Sequence, residues 1–120
     1  MKKSLYAVLL LIPVFLMAFT TSESQLLKTS LRITVLNGLG NHEEGVTVQL
    51  YKTQEDYEDE TNPVGEAVIT DKKGRATFRD LEPIVYFVSA VKGKMNNHGA
   101  GIATGTLEEG KINKINLIID

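Results

Sequence analysis

Cysteine is missing from this 120-residue sequence. That excludes disulfides, thiolate catalysis and cysteine-bound zinc or iron–sulfur sites. It also excludes the cysteine-linked lipid anchor of bacterial lipoproteins. Stability must then come from an apolar core. A basic excess is missing as well: 13 Lys and Arg against 15 Asp and Glu give a formal charge of −2, which argues against a nucleic-acid footprint. Histidine is scarce, with only His42 and His98 present. Past the first two dozen residues no segment carries apolar side chains at helical spacing, and no internal repeat is visible.

What the sequence does have begins with Met1-Lys2-Lys3 and a nearly unbroken apolar run from Leu5 to Phe19. A membrane-spanning helix needs roughly 20 apolar residues. This run is shorter and is interrupted by Pro13, which argues against an uncleaved anchor. A basic start, a short apolar stretch and the small polar residues Thr20 to Ser24 form the layout of a secretory signal peptide. The expectation is a signal peptide over residues 1–22, with cleavage after Ser22 or Ser24, and a polar linker over 23–30. The exported chain then lies in the periplasm or outside the cell, with no stable membrane span once the signal is removed. Loss of Lys2 and Lys3 takes the formal charge from −2 to about −4. The roughly 95 remaining residues suffice for one unstapled domain.

From Leu31 onward the dominant signal is period-two alternation, the pattern of strands with one buried face. Leu31, Ile33 and Val35 alternate with Arg32 and Thr34. Asn37 to Asn41 then supplies turn residues. Val46, Val48 and Leu50 alternate with Thr47, Gln49 and Tyr51 in the clearest strand. Lys52 to Pro63 is acidic and lacks amphipathic spacing, so it reads as a loop with room for one helical turn. Gly65 to Thr70 reads as a strand with Ala67 and Ile69 inward. Asp71-Lys72-Lys73-Gly74 reads as a hairpin turn, returning through Arg75 to Arg79 with Ala76 and Phe78 buried. Ile84 to Val91 is a dense apolar strand suited to a central position. Gly93 to Gly99 reads as a polar loop, Ala100 to Leu107 as a weak strand and Ile112 to Ile119 as the last, with Ile115, Leu117 and Ile119 in phase. Seven short strands with closely spaced turns predict an all-β, antiparallel sandwich over residues 31–120.

Gly45 to Tyr51, then Thr70-Asp71-Lys72-Lys73-Gly74-Arg75-Ala76-Thr77-Phe78, then Leu81-Glu82-Pro83 followed by Tyr86 to Ala90, together resemble the carboxypeptidase regulatory-like domain family. The resemblance implies a transthyretin-like, Greek-key β-sandwich covering Leu31 to Asp120. Each shared residue has a physical use. Asp71 can accept backbone hydrogen bonds in its turn, Gly74 can take positive φ, and Pro83 ends a strand. Tyr86 offers an apolar ring with a hydroxyl that reaches backbone near the sandwich edge. The sequence departs from the family pattern at Ile84 and Val85, where glycine often precedes the tyrosine strand. Such a resemblance speaks to fold far more than to activity.

Catalytic signals are weak. Ser89 and His98 form a nucleophile–base pair on paper, but Ser89 sits within a strand and lacks a glycine-flanked nucleophile turn. The hydroxyisourate hydrolases share the transthyretin-like fold, but they end in a tyrosine-arginine-glycine-serine tail, whereas this sequence ends Leu117-Ile118-Ile119-Asp120. The related intradiol dioxygenases hold iron with two tyrosines and two histidines, at spacings not found here. Asp56, Glu58, Asp59 and Glu60 are the candidates for a calcium site, which needs six to eight oxygens. They lack the glycine-punctuated spacing of calcium loops, and a solvated acidic loop is the simpler reading. No cofactor is expected. Asn96, Asn97 and His98 form the candidate ligand or partner loop. The expectation is a non-enzymatic exported module that binds a protein or cell-surface component, edge strands being one means of doing so. A carrier of a small ligand or carbohydrate through the loops at one end of the sandwich is the alternative.

Overall fold

The computed structural model describes residues 28–120; the expected signal peptide and residues 23–27 of the expected linker lie outside them. Alternating apolar residues put β1 (Ser30–Asn37) at the centre of the molecule, with Leu31, Ile33 and Val35 fully buried. It is followed by β2 (Thr47–Tyr51), α1 (Gln54–Asp59), β3 (Val64–Ile69), β4 (Arg75–Phe78), β5 (Phe87–Lys92), β6 (Met95–Asn96) and β7 (Ile112–Ile119). The described strands form two sheets, one ordered β4-β1-β7 and one ordered β3-β2-β5-β6. Their facing sides interleave β1, β2, β4 and β5 side chains with Tyr86, Leu107 and Ile119 in one core. Thr29, in the expected linker, is already inside this fold. It is buried, its carbonyl accepts from the Leu81 N–H, and its Oγ1 accepts from the Gly110 N–H.

Five expectations change. The sheet pairing is not wholly antiparallel, because β1 and β7 run parallel, from Ser30 opposite Ile112 to Asn37 opposite Ile119. Alternation reveals which face is buried but carries no information about strand direction. The Asp71–Gly74 turn does not close a hairpin; β3 belongs to one sheet and β4 to the other, so the turn carries the chain across the sandwich. In β3 the half-buried residues are Val64 and Val68, while Ala67 is exposed and Ile69 is 65% exposed. An irregularity between Val48 and Leu50 shifts the pairing of β2 with β3, and Val68 falls opposite buried Val48. Ala100–Leu107 forms no strand, keeping a single bridge between Ala103 and Phe87, whereas part of the expected loop is strand β6. The dense strand expected from Ile84 begins only at Phe87. The acidic segment uses its room for a helical turn as the short helix α1.

That helix is held by its ends. Thr53 Oγ1 accepts from the Asp56 N–H at 3.0 Å, and Glu60 closes the helix in the left-handed region at φ 55°. Acidic Glu55 and Asp56 in the first turn suit the helix dipole. Tyr86 performs as its ring and hydroxyl suggest: buried, it donates its O–H to the Glu82 carbonyl and accepts from the Glu82 N–H. The arrangement resembles the tyrosine corner of other sandwiches. No described helix is long and apolar enough to cross a membrane.

Candidate functional site: the outer face of the four-stranded sheet

A strand buries every second side chain, so β2 and β5 turn Thr47, Gln49, Tyr51, Ser89 and Val91 away from the core. On most sandwiches such a face is simply wet. Here α1 and the segment after β6 cover part of it. Tyr57 of α1 meets Tyr51 edge-on with ring centroids 6.0 Å apart, and His98 meets Tyr57 edge-on at 5.9 Å. Edge-to-face contacts of this kind contribute about 0.5–1.5 kcal/mol beyond area burial. Tyr51 is buried by this cover although it points away from the core. The Tyr57 hydroxyl is buried with no hydrogen-bond partner.

Beside the ladder of three rings lies an open depression of about 390 Å³, lined by Tyr57, Ser89, Val91, His98 and Ile102, with Glu58 and Glu60 at its rim. A second depression of about 490 Å³ continues from Ser89 and Val91 across Thr47, Gln49 and Ala67. Burial, reinforced by the nearby Glu58 carboxylate, pushes the Tyr57 phenol above its ordinary pKa. Burial and Glu60 do the same to Tyr51. Both shifts favour the neutral phenol, so the two side chains serve here as uncharged rings.

The structure distributes the sequence-derived candidates unevenly. Ser89 and His98 do reach the same depression. His98, however, packs its ring against Tyr57, and its backbone N–H donates to Asn96 Oδ1. Asn97 is not a loop tip at all: it is fully buried. Its Oδ1 accepts from the Ala90 N–H at 3.0 Å, and its Nδ2 donates to the carbonyls of Val88 and Gly101 at 2.8 and 3.1 Å. β6 ends at Asn96, leaving β5 backbone groups without a strand partner, and one amide side chain supplies both a donor and an acceptor there. Asn96 is half-buried, and its backbone exchanges hydrogen bonds with Asp120. Of the three, His98 alone is exposed.

The calcium candidates are dispersed by α1. Asp56 Oδ1 accepts from Thr61 Oγ1 and from Asn62 Nδ2, closing the turn after the helix. Glu58 and Glu60 face the depression. Among the described residues no three carboxylate or imidazole groups converge to hold a metal ion. The residue missed in the sequence was Tyr57. Its signal was Thr53 followed three residues later by Asp56, a helix-start pattern, which places Tyr57 one turn into a helix beside the strand that carries Tyr51.

No protein-family profile matches the chain, and no curated protein does. Among solved structures, a variant of the major pilin subunit BcpA of Bacillus cereus is similar over 77% of this chain and 28% of the pilin, with TM-score 0.56 and 14% identity. The Bacillus anthracis TIE protein matches over 76% of this chain and 16% of its own, with TM-score 0.49 and 15% identity. The full-length major pilin SpaD from Corynebacterium diphtheriae matches over 76% of this chain and 30% of its own, with TM-score 0.49 and 18% identity. This chain therefore spans less than a third of each of these proteins. The likeness to the B. cereus pilin is one of fold, and it agrees with the class defined above: an all-β sandwich of two sheets.

Proposed function

We propose that the chain is an exported, non-catalytic surface module that recognises a protein or cell-surface partner through the outer face of its four-stranded sheet. The observation that carries the reading is the fold likeness to the B. cereus major pilin subunit over 77% of this chain. Two further points support it: the signal-like residues 1–22, and the resemblance to carboxypeptidase regulatory-like domains with their transthyretin-like Greek-key path. The recognition surface is Tyr57 and His98, backed by buried Tyr51, with the carboxylates of Glu58 and Glu60 beside them. Rigid rings with polar edges are what protein-binding surfaces favour. The test is crosslinked affinity capture from envelope extracts with the wild type and with Glu58→Lys/His98→Ala, both changes at exposed positions. A partner retained by the wild type and lost from the variant supports the reading. Identical capture by both, or none by either, overturns it.

A second reading, a carrier of a small ligand or carbohydrate, rests on the same depression of about 390 Å³, where two aromatic rings lie beside a hydroxyl and two carboxylates. Calorimetry against a glycan panel separates the two readings. Saturable binding lost in His98→Ala would favour the carrier.

A further inference from the structure

The edges of the other sheet, remote from the proposed recognition face, carry a different message. β7 is an edge strand of the order β4-β1-β7. Backbone N–H and C=O groups alternate sides along a strand, so one bond sets the phase for all. The Ser30 N–H donates to the Lys111 carbonyl at 3.0 Å, with Ser30 opposite Ile112. In a parallel ladder this directs the backbone groups of Lys111, Asn113, Ile115 and Leu117 at β1. The backbone groups of Ile112, Lys114, Asn116 and Ile118 therefore point to the open edge. The same four residues expose their side chains, and the two isoleucines at the ends are 53% and 45% exposed.

The open stretch is bounded. Beyond Ile118, Asp120 exchanges backbone hydrogen bonds of 3.1 and 3.2 Å with Asn96, so β6 covers the edge there. Before Ile112, Gly110 at φ 72° turns the chain off the strand line. What remains is Ile112 to Ile118, with Ile115 at its midpoint.

We infer that this edge pairs with the same edge of a second copy of the chain, antiparallel, with the two-fold axis at Ile115. In that register Ile112 faces the other copy's Ile118, and Lys114 faces the other copy's Asn116. These reciprocal pairs are made by the residues whose backbone groups have no partner among the described residues, so each pair exchanges two hydrogen bonds. The exposed isoleucines cover one another across the strands, a favourable cross-strand pairing. The neighbouring registers are less favourable. A slip of two residues one way puts Lys114 directly opposite Lys114, a destabilising juxtaposition of like charges. A slip the other way pairs Ile112 with Asp120, whose backbone is already bonded to Asn96, so three pairs can form against four in the register above. A self-complementary patch of this sort closes as a two-fold dimer and removes one open edge from each copy. The result is a continuous sheet running β4-β1-β7 into its symmetry mate.

The absence of native cysteine makes the test clean. Full-length Ile112→Cys and Ile118→Cys chains are produced separately and mixed under oxidising conditions. Facing residues of a hydrogen-bonded antiparallel pair lie about 5.5 Å apart at Cα, within disulfide range. The expected result is a disulfide between the two variants and none within either variant alone. Sedimentation equilibrium of the wild type against Ile112→Lys/Ile118→Lys provides the second readout. Both positions are solvent-facing, so the fold is retained while the dimer dissociation constant rises about tenfold or more. A wild type that stays monomeric, a crosslink of Ile112→Cys to itself, or association unchanged in the lysine variant overturns the inference. None of these outcomes bears on the Tyr57–His98 face, which lies on the other sheet.

Discussion

The two sheets are completed by opposite means. In β4-β1-β7 the central strand is paired with backbone on both sides, and that pairing continues past β4 because Gly74 brings its own backbone against Val35. In β3-β2-β5-β6 the ladder stops short, and side chains take over. Asn97 stands in beside β5. Thr70 Oγ1 accepts from the Val46 N–H and donates to the Glu43 carbonyl, and Thr104 Oγ1 accepts from the Tyr86 N–H. The first sheet depends at its end on a side chain being absent, the second on particular polar side chains being present. Each kind of dependence breaks in its own way.

The largest expected effect is at Gly74, which sits at φ +72°. A Cβ there would lie 2.7 Å from the Val35 carbonyl and 3.1 Å from the Glu43 nitrogen, both backbone atoms without freedom to move aside. Left-handed geometry costs an L-residue roughly 1–2 kcal/mol, and forced displacement of packed atoms adds roughly 1–3. Gly74→Ala is therefore expected to lose about 3–4 kcal/mol in urea unfolding. Gly38→Ala is the control, since no atom lies within 4 Å of its added Cβ. It should stay within about 0.5 kcal/mol of the parent. Equal losses in the two variants would show that the backbone approach at Val35 is unimportant.

Asn97 is the matching weak point of the other sheet. Asn97→Ala leaves the Ala90 N–H and the Val88 carbonyl without their partner in a buried site, and removes a donor from the carbonyl of exposed Gly101. Unsatisfied buried groups cost about 1–3 kcal/mol each, and partial relaxation brings the expected total to about 2–3 kcal/mol. Hydrogen exchange separates this from a general loosening. Ala90 protection should fall well beyond the loss of global stability, while protection in β1 should track that loss. Uniform loss across both sheets would mean that Asn97 merely fills space.

These two residues also show how far the sequence could be read. Alternation exposed the buried faces of β1, β2, β4 and β7, because each is a strand with one dry side. Asp71 and Gly74 were legible as a turn, since Oδ1 of Asp71 accepts from the Lys73 and Arg75 N–H groups and Gly74 takes positive φ as expected. That the turn joins two sheets was not legible, because local turn chemistry is the same whichever strands it connects. Asn97 read as a loop tip because Asn beside Asn, His and Gly is loop composition. Its burial depends on where β6 ends, which is a tertiary fact. The aromatic ladder was hidden for a related reason: α1 has no apolar stripe and owes its place to its end caps and one tyrosine.

The smallest expected effect falls where the two sheets meet. Glu43 lies on the connection from β1 to β2 and touches both: its N–H donates to the Val35 carbonyl, and its carboxylate accepts from Asn37 at the end of β1. Oε1 of the same carboxylate pairs with Lys92 at the end of β5, at 2.9 Å. The Lys92 ammonium chiefly, and the Asn37 amide after it, hold the carboxyl below its ordinary pKa against a smaller opposing effect of desolvation. A carboxyl depressed in the folded state stabilises the fold in its ionised form. That contribution is complete above the ordinary glutamate value of about 4.3 and is lost as pH falls through the lower folded value. Asp71, depressed mainly by the Arg75 N–H, acts in the same direction. Thermal melts should therefore show Glu43→Gln less stable than the parent at pH 7, with the difference shrinking steadily below about pH 4. Lys92→Met should behave alike, since it removes the other half of the pair. A difference that stays constant down to pH 2.5 would mean that Glu43 acts through its backbone alone. The two sheets would then be joined at this end by the Val35 and Thr70 hydrogen bonds without help from charge.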